Sequence, residues 1–264
     1  MPATPAMSQE PGTVTGSSDA AAFGKRTQVS TDPNDWVPVL KAGFVCTVAH
    51  LEISTPGDQL VIKPRCVPMV YAYHEEGGRR LLYLHGSIYY PTGIPVSLKH
   101  LWSEDGVSVS LAVTLVDGLV VGRAAISTSL NYRSVVVNGV ARKVDPSGRA
   151  KTFHALSDQV IPNRWNELRP IDDTDLNTDG QNHPTIGVLS VDLDEKETTV
   201  HAKIATHPEG PEHETQRDLD YPHAWGGTLT VRQTYGDPVP DKHVPPGTPV
   251  PTSVQDLVKR HRAT

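Results

Sequence analysis

Between Val107 and Leu115 the residues Val107, Val109, Leu111, Val113 and Leu115 alternate with smaller or more polar ones. A two-residue period turns one set of side chains to a common face, so this stretch is predicted to be a strand with one buried side. Asp117-Gly118 follows, a pair suited to the positive backbone dihedrals of a tight hairpin turn, and Leu119 to Ala125 is predicted as the returning strand. Phe44–Ile53 and Val61–Tyr73 are rich in β-branched and apolar residues and are separated by Thr55-Pro56-Gly57-Asp58. Gly77-Gly78 breaks the pattern before Arg80–His85, and further strands are predicted over Ser134–Val144, Ile186–Leu193, Thr198–Ala205 and Gly227–Thr234. Helical spacing is rarer. Thr31-Asp32-Pro33 reads as a cap and first turn ahead of Trp36, Val39 and Leu40. Asp145-Pro146 opens a second helix in which Phe153, Leu156 and Val160 share a face that packs across the strands, and Pro162 closes it. Many short strands with few helices predict a mostly-β barrel rather than a parallel α/β sheet.

The chain has 264 residues, 37% hydrophobic and 20% charged, enough for one large core. Residues 1–30 are rich in Ala, Ser, Thr, Gly and Pro and are predicted to be a flexible N-terminal arm without the apolar segment of a signal peptide. Residues 31–236 form the predicted domain. Residues 237–264 begin as a Pro/Gly-rich linker and end in a short basic helix over Ser253–Arg262. A net charge of −6 and the lack of basic runs interleaved with aromatics argue against nucleic acid as a partner. No apolar run reaches the roughly 18 residues at which a helical membrane span becomes plausible, so a soluble, cytoplasmic protein is expected. Cys46 and Cys66 stand in apolar strand-like text, where a reduced cysteine behaves as a small hydrophobe.

The sequence has no dinucleotide glycine fingerprint, phosphate loop, nucleophile elbow or paired-histidine zinc helix. His201, His207 and His213 are irregularly spaced, the latter two in a Pro/Gly/Glu-rich stretch, so no metal is assigned. Three constellations remain. Leu82-Tyr83-Leu84-His85-Gly86-Ser87 is a strand ending in groups that hydrogen-bond a planar polar ligand, or an ordinary turn. Asn131-Tyr132-Arg133-Ser134-Val135-Val136-Val137-Asn138-Gly139 gathers a guanidinium, amides and hydroxyls, with Arg133 either free for a ligand or paired with a carboxylate. Trp225-Gly226-Gly227 is an aromatic plate beside backbone that a ligand can approach closely, or a core tryptophan at a strand start.

In series, Tyr83-Leu84-His85-Gly86-Ser87, Leu115-Val116-Asp117-Gly118-Leu119-Val120 and Asn131-Tyr132-Arg133-Ser134-Val135-Val136 resemble the pyridoxamine-phosphate-oxidase-like family of flavin-binding split barrels. Ile161-Pro162-Asn163-Arg164-Trp165, Ala202-Lys203-Ile204 and Trp225-Gly226-Gly227 extend the likeness, which is nearest to the flavin-nucleotide-binding proteins related to 5-nitroimidazole reductases. The resemblance implies a six-stranded split β-barrel with a few peripheral helices, working as a homodimer with flavin mononucleotide (FMN) in grooves at the subunit interface. It places Arg65, Val67, Pro68 and Met69 along the isoalloxazine or ribityl chain, His85 and Ser87 on the chain and phosphate, Arg133 and Ser134 near the flavin, and Trp225 at the interface. Where the family usually has a Ser-Arg or Arg-Lys pair for the phosphate, this chain has Val96-Ser97-Leu98-Lys99, which leaves Lys99, aided by Ser87 and Ser97, as the phosphate anchor. The activity implied is an FMN-dependent oxidoreductase acting on a small molecule. The alternatives are a non-catalytic ligand-binding or scaffold barrel and a haem-binding split barrel.

Overall fold

The structure is a computed structural model and describes residues 27–88, 98, 100–172, 175, 186–211, 214–221 and 223–261. Nine strands are described: β1 (Thr27–Ser30), β2 (Val45–Ser54), β3 (Val61–Glu76), β4 (Arg79–Ser87), β5 (Val107–Val121), β6 (Ser129–Lys143), β7 (Ile186–Asp192), β8 (Thr199–Ala205) and β9 (Gly227–Thr230). Six close into a ring in the order β2-β3-β4-β7-β6-β5 and back to β2, every pairing antiparallel. Strand β6 is shared. Its first half, Tyr132–Asn138, pairs with β8, while Ala141–Lys143 pairs with β7, so the wall of the barrel splits along β6. β1 adds to β8 and β9 adds to β5.

The period-two pattern sets the inside of the ring. Val48, Tyr71, Leu84, Leu111, Val135 and Leu189 are fully or almost fully buried in one cluster. Helix α1 (Pro33–Ala42) begins as its sequence predicts, with Asp32 accepting the Asn34 N–H at 2.8 Å and Pro33 in the first turn. Its Trp36, Val39 and Leu40 join the barrel core. Helix α2 (Arg149–Val160) packs Phe153 and Leu156 on the outer face of β3 and β4, against Ala72 and Tyr83. Past β9 the chain leads to helix α3 (Thr252–Arg260), whose Ser253 N–H donates to Glu167 at 3.1 Å and whose hydroxyl donates to the same carboxylate. No helix among the described residues is long and apolar enough to cross a membrane.

The mostly-β split barrel expected from the sequence is what the chain forms. Some boundaries differ. Asp117-Gly118 is not a hairpin turn: β5 continues through it to Val121, with Asp117 as the extra residue of a bulge between Val116 and Gly118. The glycine is needed for another reason, because a Cβ there would lie 2.9 Å from the Leu229 carbonyl of β9. The reversal comes later, around the single 3-10 turn Ala125–Ser127, and β6 begins at Ser129 instead of Ser134. At the N-terminus, Thr27–Ser30 pairs with β8 although these residues close the arm expected over 1–30, and the rest of that arm lies outside the described residues. The last strand stops at Thr230, short of the expected Thr234.

Candidate functional site

β3 is paired with β2 along Val61–Val70 but with β4 only from Tyr71 to Glu76. The Tyr71 N–H donates to the Phe44 carbonyl at 3.1 Å, on the β2 side. By alternation the even-numbered residues Pro64, Cys66, Pro68 and Val70 turn their backbone groups to the other side, where no described strand pairs with them. Ile62 shares this orientation and the two prolines have no N–H to offer, so the open edge presents the N–H groups of Ile62, Cys66 and Val70 and a row of carbonyls. At the end of this open seam the side chains of Val70 and His85 meet in a cavity.

That cavity, of about 390 Å³, lies between the outer face of β3–β4 and the C-terminal half of α2. Phe153, Leu156, Val160, Ile161, Trp165 and Ile171 make its walls largely apolar, and Arg164 and Arg169 stand among the lining residues. The chain returns over His85 because Asn163 adopts a left-handed conformation (φ 66°) just after the helix. Trp165 is then held by stacking on His154, ring centroids 5.1 Å apart. The His85 imidazole lies 5.8 Å from the Phe153 ring, and burial lowers its pKa below the ordinary 6.5, which favours a neutral ring with an available lone pair. His85 was legible as a candidate; Arg164 and Trp165 belong to a string noted only for its likeness to the family, and that string was the available signal for the cavity wall.

The other residues singled out in the sequence fall elsewhere. Arg65 donates from Nε to Glu52 at 2.5 Å and holds that carboxyl below its usual range. His100 lies 3.8 Å from the same carboxylate, and His50 is buried behind it with Nδ1 lacking a partner among the described residues. The Met69 side chain is in the barrel core and Val67 packs against that core, so each offers a ligand little beyond backbone, while Pro68 is exposed. Arg133 is paired with a carboxylate: Nε and Nη2 donate to Asp117 at 2.8 and 2.7 Å. Ser134 donates to the Lys203 carbonyl at 3.5 Å, and the Ser87 carbonyl accepts the Leu98 N–H at 3.0 Å. Trp225 is 62% exposed, which removes its reading as a core residue. Ser97 and Lys99 lie outside the described residues. The candidates therefore divide among the β3 edge, the His85 cavity and a cleft beside Arg133.

Fold and site together define a split-barrel protein with an open strand edge and a largely apolar cavity lined by His85. The chain belongs to the pyridoxamine 5'-phosphate oxidase family, whose model matches residues 32–195. Among solved structures it is similar to the FAD and heme binding protein from Mycobacterium smegmatis, with a TM-score of 0.68, 24% identity, and coverage of 87% of this chain and 97% of that one. It is also similar to the flavocytochrome Anf3 from Azotobacter vinelandii, with a TM-score of 0.64, 25% identity, and coverage of 87% and 91%. No curated protein matches the chain.

Proposed function

We propose that this protein binds a flavin along the open edge of β3 and works as a flavin-dependent oxidoreductase on a small molecule. The observation that carries the reading is that Val61–Val70, paired with β2 on one side, has no described strand on the other, and this stretch includes Arg65, Val67, Pro68 and Met69, which the family likeness places along the isoalloxazine or ribityl chain. An isoalloxazine ring presents acceptors and a donor along one edge, which suits the Cys66 and Val70 N–H groups and the intervening carbonyls. The flavin supplies the redox chemistry; the chain orients it and excludes water. FMN is the form expected from the sequence, and FAD is the form named for the M. smegmatis neighbour. The outer face of the β2–β3 hairpin is apolar and exposed at Leu51 (57%), Ile53 (64%) and Ile62 (52%), a patch that supports a homodimer in which the exposed Trp225 of one copy covers the flavin of the other.

A second reading is favoured by the His85 cavity: a haem would be held there by the neutral imidazole, with Arg164 and Arg169, paired with Glu167 at 3.0 Å and Asp175 at 2.8 Å, as cations of the same wall. Both similar structures carry names that pair a flavin with a haem or cytochrome. The absorption spectrum of the purified protein tests the two sites. The flavin reading expects a flavin band released on denaturation, or flavin uptake on titration. It also expects a loss of affinity in Cys66→Pro, which removes one open-edge N–H without touching the β2 ladder. A chain that takes up neither FMN nor FAD, or a Cys66→Pro variant that binds as the wild type does, refutes it. A Soret band that is lost in His85→Ala while flavin binding persists supports the second site.

A further inference from the structure

The largest of the described cavities, about 650 Å³, is not the one at His85 but a cleft between the bulged part of β5 and the chain that follows β9. Its charge balance is unusual for a protein of net charge −6. Three arginines line it: Arg133 from β6, Arg232 just after β9, and Arg260 at the end of α3, with His261 beside it. Asp117 is the sole carboxylate among the lining residues, and both of its oxygens are taken by Arg133. Arg260 donates from Nε to the Asp256 carbonyl at 3.2 Å, which leaves its two terminal nitrogens available. Arg232 forms no ion pair among the described residues. Two guanidinium forks thus face a cavity with no carboxylate left to neutralise them. The rest of the wall mixes polar Thr114, Gln233 and Thr234 with aliphatic Leu115, Val116 and Val231, the last two exposed at 40% and 41%.

A cleft that sets guanidinium groups beside hydroxyls, an amide and aliphatic side chains recognises a ligand that joins anionic groups to a polar and a flat apolar part. A lone phosphate would leave most of the volume unfilled. We infer that this cleft binds a nucleoside diphosphate moiety, its phosphates on Arg232 and Arg260 and its base against Leu115, Val116 and Val231. The moiety has two sources, a free nucleotide or the nucleoside diphosphate half of a dinucleotide such as FAD, and the cleft's chemistry is common to both. Two of its cations, Arg232 and Arg260, come from beyond residue 195, where the match to the family model ends.

Titration calorimetry of the full chain with ADP, pyrophosphate and adenosine tests the inference and does not depend on flavin being bound. ADP is expected to bind, pyrophosphate more weakly, and adenosine weakest. Each charge-assisted contact is worth about ten- to a hundredfold in affinity, so Arg232→Ala with Arg260→Ala should weaken ADP by roughly a hundredfold or more. Both side chains are exposed, and an unchanged thermal midpoint shows that the fold is kept. If the double variant loses affinity for FAD but not for FMN, the moiety is half of the dinucleotide. If ADP binds whether or not flavin is present and FAD is unaffected, it is a free nucleotide. Failure of the wild type to bind ADP, or equal affinities in wild type and variant, overturns the site even where flavin binding is found.

Discussion

Gln159, near the end of α2, is a single side chain joining three elements. Its Nε2 donates to the carbonyls of Leu40 at 3.0 Å, of Lys41 at 3.2 Å and of Gly43, the C-terminal groups of α1 that have no partner within the helix. Its Oε1 accepts the Tyr73 N–H of β3 at 3.1 Å. The Leu40 carbonyl has a second donor, the hydroxyl of the fully buried Tyr71 at 2.7 Å. Tyr71→Phe leaves that carbonyl with Gln159 and should cost about 0.5–1.5 kcal/mol, an ordinary hydrogen bond. Gln159→Leu keeps much of the side-chain volume but strands the Tyr73 N–H, at about 1–3 kcal/mol. Together the substitutions deprive the Leu40 carbonyl of both donors, so the double variant should lose about 1–3 kcal/mol more than the sum of the single losses. Urea unfolding followed by tryptophan fluorescence, with the denaturant slope checked for constancy, measures all three. Losses that add within about 0.5 kcal/mol, or a Gln159→Leu variant as stable as the wild type, refute the shared-acceptor account.

Two further outcomes follow from packing and titration. Gly187 is buried opposite Gly86, and a Cβ there would stand 2.5 Å from the Trp102 ring and 2.6 Å from Ile88; Gly187→Ala should cost about 1–3 kcal/mol by overpacking, and a thermal midpoint equal to that of the wild type would contradict the close contact. His50, His74 and His85 each titrate below the ordinary 6.5, chiefly because burial penalises the charged ring. The unfolded chain therefore binds more protons than the folded one below about pH 6.5, and stability, complete above that value, should fall on acidification, less steeply in His85→Phe. Glu52 and Glu75, whose pKa values are lowered by Arg65 and Lys41, add their own loss only below about pH 4.5. Unfolding curves flat between about pH 7.5 and 5.5 would refute the histidine contribution.

What the sequence made legible was local. The alternation from Val107 to Leu115 and the cap at Asp32-Pro33 follow from rules that act within a few residues, and both elements stand as expected. Asp117-Gly118 carries a turn signature, yet its conformation is decided by β9, which approaches from more than a hundred residues away, and by Arg133, which takes the aspartate. Arg133 illustrates the limit at the site: its type suits a phosphate, but whether it is free depends on a carboxylate across the bulge. The open edge of β3 was equally hidden, because it is a statement about where β4 stops pairing, and Pro64 and Pro68 hint at it only once the register is known.

Those two prolines also bear on how the protein stays dispersed. An unpaired strand edge is a template on which another chain can add a strand, the first step toward fibrous aggregation. With N–H groups withheld at Pro64 and Pro68, an incoming strand finds donors at Ile62, Cys66 and Val70 on this side and cannot complete a regular ladder. A small rigid molecule needs no more than one or two such donors. The edge is thus hard for a second strand to extend, and substituting both prolines by residues with an N–H would place solubility at risk.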